Sequence, residues 1–218
     1  LFPYTTLFRS VIVTDAPHFD AHGILRGVIL TITDISERKA SEQRIHYLAT
    51  HDPLTGLANR AMFLDQMNTS LLIAQRHHTR FALLFLDLDR FKEINDTLGH
   101  PVGDELLITA ARRMRQALRA SDLLARQGGD EFMILLHDIH SMEEALGVAE
   151  KIRHAINQPF TLDGAERLVS VSIGIALYPD HGTSIEILTR NADAAMYRTK
   201  TAGRNGTSAA GDAPSAST

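Results

Sequence analysis

Gly128-Gly129 separates two apolar runs, Leu123-Leu124-Ala125 before it and Phe132-Met133-Ile134-Leu135-Leu136 after it. Two strand-like runs joined by Gly-Gly predict a β-hairpin, because a two-residue turn of the favoured hand needs positive φ at its central positions. Asp130 and Glu131 follow at once, so two carboxylates are expected at a bend whose glycine backbone lets a phosphate approach. Acids on an isolated hairpin tip are ordinarily solvated. A second acidic tip sets this one apart: Phe81-Ala82-Leu83-Leu84-Phe85-Leu86 is a buried-strand pattern, and Asp87-Leu88-Asp89 ends it. If the two tips lie side by side, their like charges need a cation, and Mg²⁺ with phosphate oxygens is the natural partner.

The rest of the chain alternates. Helices are expected over residues 61–76, 91–98, 103–119, 142–157 and 184–201, with a further strand over 169–178. In the first helix Met62, Phe63, Met67, Leu71 and Leu72 are spaced for one buried face. Strands interspersed with helices, one pair joined tightly, predict an α/β (α+β) sandwich with a mixed, mostly antiparallel central sheet flanked by helices. Upstream, residues 11–13 and 24–33 carry β-branched strand formers around the turn Asp20-Ala21-His22-Gly23. Asp34 or Ser36 then caps a polar helix over 36–50, either a solvated connector or a short parallel coiled coil. The tail 206–218, rich in Gly, Ala, Ser, Thr and Pro, is expected to be disordered. Residues 1–10 start without methionine and resemble an in-frame translation of a sequencing adaptor, so they are set aside as a scar.

At 218 residues the chain holds one full domain plus some extra sequence. A net charge of −4 argues against bulk nucleic-acid binding, whose footprint is a basic surplus. With no cysteine there is neither a disulfide framework nor thiolate chemistry, and the apolar runs are too short for a membrane span. A cytoplasmic location is therefore expected, although a longer parent could be anchored upstream. The histidines lack metal-ligand spacing.

Five segments in order resemble the GGDEF family of diguanylate cyclases. They are Asp52-Pro53-Leu54-Thr55-Gly56-Leu57-Ala58-Asn59-Arg60, Asp87 through Asp96, Gly99-His100-Pro101-Val102-Gly103-Asp104, Gly128-Gly129-Asp130-Glu131-Phe132, and Lys200-Thr201-Ala202-Gly203-Arg204-Asn205. The resemblance covers 47–205 and implies the nucleotide-cyclase and polymerase-palm type of fold. It further implies that two GTP become cyclic di-GMP and two pyrophosphates across a homodimer, with two Mg²⁺ (or Mn²⁺) ions per site. Asp87, the Leu88 carbonyl, Asp130 and Glu131 match the metal positions, and Glu131 the acid that helps deprotonate the attacking 3′-hydroxyl. Asn95 and Asp104 match the guanine-reading pair, with Phe91 and His100 beside the substrate. Lys92, Lys200 and Arg204 match the phosphate-binding cations, Lys92 also counting among the catalytic residues. Asp89 is taken as structural, facing away from Asp87. Arg119 and Asp122 match the R-x-x-D site at which cyclic di-GMP inhibits, with Arg126 a further candidate there.

Residues 11–35 resemble the closing hairpin of a truncated PAS sensor domain and 36–50 its signalling linker. Two alternatives stay open: a non-catalytic GGDEF module that binds GTP or cyclic di-GMP as a receptor, and the leading half of a GGDEF–EAL protein.

Overall fold

The structure is a computed structural model that describes residues 11–211, so the expected scar and residues 212–218 lie outside it. The chain divides between Ala49 and Thr50 into two units.

In the first unit, β1 (Val11–Phe19) and β2 (Leu25–Asp34) form an antiparallel hairpin. The Asp20 carboxylate closes its turn by accepting from the His22 and Ile24 amides at 2.9 and 3.0 Å. Helix α1 (Ser36–Thr50) starts where Asp34 accepts from the Ser36 amide at 2.8 Å. The register sets Val13 opposite Ile32 and Pro17 opposite Val28 on one face, and that apolar face is exposed.

In the second unit a five-stranded sheet runs in the order β4-β5-β3-β8-β9, and three of its four pairings are antiparallel. The central strand β3 (Phe81–Leu88) lies between β5 (Glu131–His137) and β8 (Val171–Tyr178). Every residue of β3 and β8 is buried, because both faces of the sheet are covered. Side chains alternate across a strand. Ala82, Leu84, Leu86 and Leu88 therefore pack with α3 (Phe91–Leu98), α4 (His100–Ala117) and α5 (Met142–Ile156). Phe81, Leu83 and Phe85 instead pack with α2 (Arg60–His77) and α6 (Ile185–Thr201). Helix α6 comes so close to β8 that an added Cβ at Gly174 would overlap the Ala192 carbonyl and the Met196 amide.

Three expectations are corrected. The tail is not disordered from residue 206: Gly206–Ala209 forms β9, a parallel edge strand on β8, and buries Ala209 and Ala210. Composition suggested disorder because these residues bring little apolar area of their own, and the edge of β8 supplies the hydrogen bonds. Helix α4 begins at His100, not at residue 103, with Pro101 in its first turn where no amide hydrogen is needed. A short hairpin of β6 (Phe160–Leu162) and β7 (Ala165–Arg167) had gone unassigned. Its signal was present in Asp163-Gly164, both at positive φ, the pair favoured in two-residue hairpin loops.

Candidate active site

The hairpin of β4 (Leu123–Gly128) and β5 turns one residue later than Gly-Gly suggested. Gly128 pairs with Glu131, so the loop residues are Gly129 and Asp130, and Gln127 forms a bulge. The turn is held from outside the hairpin. Arg126 donates to the Gly129 carbonyl at 3.0 and 2.8 Å and to both oxygens of Asp52 at 3.1 and 3.2 Å. Asp52 also accepts from the Thr55 amide and hydroxyl, at 2.8 and 2.6 Å. The Arg126 guanidinium is thereby committed to the turn.

The second tip meets this turn edge to edge. Asp87 lies opposite Glu131 on one side and Ser172 on the other, which puts all three side chains on the face covered by α6. The Leu88 amide donates to the Asp130 carbonyl at 3.2 Å, pinning the turn beside the strand end. Leu88 buries its side chain in the core, so only its backbone can serve a ligand. From α6, Lys200 places its ammonium 2.7 Å from Asp87 Oδ2. Burial pushes the Asp87 carboxyl up to about 6; Lys200 opposes this, while Asp130 and Glu131 add to it. Glu131 is raised too, by burial and then by Asp130 and Asp193. Asp193 escaped the sequence reading, although it stands seven residues before Lys200, two turns along the same helix.

Among the described residues no three His, Asp or Glu side chains are already grouped as a metal cage. The donor chemistry nonetheless fits a hard dication. Asp87 and Glu131 offer carboxylate oxygens that burial and the neighbouring acids hold back from ionising, and Lys200 stands in as the counter-charge to Asp87.

Asp89 does not face away by strand alternation, since residues two apart share a face and β3 has ended at Leu88. Its buried carboxylate is drawn instead to Ser170 Oγ at 2.6 Å, Ser172 Oγ at 2.7 Å and the Asn205 amide at 3.1 Å. Those bonds latch the end of β3 to β8 and to the turn that follows Lys200, a structural role.

On the opposite side of the sheet, α3 and α4 pack together. Asn95 Oδ1 is buried without a protein partner, and the tight approach of Gly103 creates its niche: a Cβ there would overlap it. Phe91 lies beneath Gly103. Asp104 is exposed in the second turn of α4, beyond the first-turn position the sequence suggested. Lys92, His100 and Arg204 are exposed as well.

Arg119 and Asp122 lie together at the α4–β4 turn. Asp122 is buried, accepts from the Arg119 amide at 2.9 Å, and leaves the Arg119 side chain at the surface.

A family model described as "Diguanylate cyclase, GGDEF domain" matches residues 49–206. This chain belongs to the GGDEF family. Its GGDEF domain is 48% identical over 153 residues to the diguanylate cyclase TpbB of Pseudomonas aeruginosa, covering 70% of this chain and 35% of TpbB. It is also 48% identical over 159 residues to the bifunctional diguanylate cyclase/cyclic di-GMP phosphodiesterase MucR of the same species, covering 73% of this chain and 23% of MucR. This chain thus spans about a third or less of these relatives. Among solved structures, the isolated GGDEF domain of TpbB matches with a TM-score of 0.72 at 46% identity, covering 73% of this chain and 94% of that one. The coiled coil and GGDEF domain of DgcB from Caulobacter crescentus, in complex with c-di-GMP, matches with a TM-score of 0.72 at 28% identity, covering 81% and 93%. These neighbours share the mixed sheet flanked by helices described above.

Proposed function

We propose that the GGDEF domain condenses two GTP into cyclic di-GMP and two pyrophosphates. The observation that carries the reading is the meeting of two acidic tips: Asp87 opposite Glu131, with Asp130 pinned to Leu88 and Lys200 on Asp87. Asn95 and Asp104 select guanine. A carboxylate accepts from N1–H and N2–H₂, adenine lacks that pair of donors, and a buried amide oxygen left unpaired disfavours the wrong base. Phe91 and His100 flank the nucleotide. Lys92, Lys200 and Arg204 offset the charge of its triphosphate. Two Mg²⁺ or Mn²⁺ ions, held by Asp87, the Leu88 carbonyl, Asp130 and Glu131, would stabilise the attacking and leaving oxygens of an in-line displacement.

Glu131, whose carboxyl burial raises, would help take the proton from a 3′-hydroxyl. One domain binds one GTP, so two domains must face each other, each 3′-hydroxyl attacking the α-phosphate of the other nucleotide while pyrophosphate departs. Arg119 and Asp122 make the site for inhibition by cyclic di-GMP. Residues 11–35 close a PAS domain whose other strands would cover the exposed apolar face of the hairpin, and 36–50 link it to the catalytic unit. The setting is the cytoplasm; no described helix is long and apolar enough to cross a membrane.

The test is turnover of GTP with Mg²⁺ in Asp130→Ala and Glu131→Ala. Both are expected to make no cyclic di-GMP while keeping the melting transition. Product from both variants would overturn the reading, and a protein that binds GTP without turnover would favour a receptor module.

A further inference from the structure

A cleft of about 470 Å³ opens between α3, the segment joining β7 to β8, and the turn joining α6 to β9. Of the residues proposed above for the nucleotide, only Arg204 reaches it. Three arginines from three separate elements line it: Arg90 before α3, Arg167 at the end of β7, and Arg204 in the turn after α6. Two of them stand on backbone that a side chain rarely adopts, Arg90 at φ 60 and Arg204 at φ 66. Such conformations persist where surrounding structure enforces them, and here the Asp89 latch to Asn205 does so on the Arg204 side. The two carboxylates of the lining are weak opposition: Asp89 is consumed by its three hydrogen bonds, and Glu93 reaches Arg90 at only 4.0 Å. Arg167 and Arg204 are exposed, and among the described residues their guanidinium groups make no ion pair with the protein.

We propose that this cleft receives a phosphoanhydride, and that Arg167 is a further phosphate-binding residue beside Arg204. Its ligand is the terminal pair of phosphates of the bound nucleotide, and then the pyrophosphate they become. The inference rests on the proposed use of Arg204 for the triphosphate. Asp89 and Arg90, which line the cleft, directly follow Asp87, and Arg204 stands four residues after Lys200, so the cleft adjoins both segments proposed to hold the triphosphate. Guanidinium forks match phosphate oxygens in pairs, and three of them around one opening suit a group with several charged oxygens better than a single carboxylate.

Calorimetric titration separates the possibilities without turnover, using magnesium pyrophosphate alone and, in calcium, GTP and GMP. Arg167 is exposed on a short hairpin, so Arg167→Ala is expected to fold normally. It should weaken pyrophosphate and GTP by about five- to tenfold and leave GMP, which lacks the terminal phosphates, unchanged. Arg167→Lys should recover part of the loss, because charge survives while the fork does not. Unchanged pyrophosphate and GTP affinity in Arg167→Ala, or no uptake of pyrophosphate by the unaltered protein, overturns the proposal. Arg204→Ala is the reference. If it weakens GTP while Arg167→Ala does not, only the cleft is lost; if Arg204→Ala is silent too, the assignment of Arg204 to the triphosphate falls.

Discussion

Asp87 is where charge, burial and the adjoining strands meet, and its protonation has a definite sign. Its carboxyl titrates near 3.8 in an open chain and near 6 when folded. Between those values the folded protein binds more protons than the unfolded one, so without a divalent cation stability falls as pH rises through that window and the full penalty persists above it. In the presence of a chelator, Asp87→Asn should flatten the dependence of melting temperature on pH between about 4 and 6. Identical slopes for the two proteins would refute this account of the site. Gly103 offers a second check at this scale. Its missing Cβ makes room for the Asn95 carboxamide, so Gly103→Ala must displace Asn95 and should weaken GTP binding by roughly tenfold, the effect of losing one buried polar contact. Nucleotide titration measures it; ATP, never read by Asn95, should bind no worse than before. A loss shared equally by both nucleotides would point to damage of the helix pair instead.

The β4–β5 hairpin shows how an element is kept in place by something outside it. A two-stranded ribbon is marginal on its own. Here the bulge at Gln127 and the Arg126 clamp onto Asp52 and the Gly129 carbonyl fix the angle at which Asp130 and Glu131 leave the turn. The Arg126–Asp52 pair is mostly shielded, with side chains 12% and 18% exposed, so it escapes the screening that empties most surface ion pairs of value. Arg126→Ala is predicted to cost about 1–3 kcal/mol and to lower turnover more than it lowers GTP affinity, because the acids lose their register while the guanine niche is untouched. Denaturant melts together with kcat and KM decide this, and a variant with unaltered kcat would argue that the turn holds its shape without the clamp.

For the whole molecule the decisive quantity is how many domains a turnover needs. One chain presents one set of acidic tips and one Asn95 niche, and the proposed closure of a cyclic dinucleotide takes two 3′-hydroxyls and two α-phosphates. Pyrophosphate release is therefore expected to rise more steeply than linearly with protein concentration until pairing saturates. Strict proportionality across the range would mean that a single domain suffices, or that the pair never separates, and sedimentation under the same conditions tells those apart. The exposed apolar face of the β1–β2 hairpin belongs to this scale as well. Val13, Val28, Leu30 and Ile32 are more than half exposed, and the larger PAS sheet proposed to include residues 11–35 would bury them.

Local pattern was enough to reveal the alternating elements and the acidic tips at Asp87 and at Asp130-Glu131, since each lies in a short run whose spacing is itself the signal; the guanine and phosphate assignments rest on the resemblance to the GGDEF family. Folding alone disclosed what those residues touch. Arg126 finds Asp52 at a separation of 74 residues, Asp89 finds Ser170, Ser172 and Asn205 at separations of 81, 83 and 116, and the small-residue segment Gly206–Ala209 becomes a strand only because β8 offers it an edge. Partners so distant leave no mark on local periodicity: a buried carboxylate or a clamped guanidinium is chosen by the neighbours that packing delivers, and a one-dimensional spacing cannot name them.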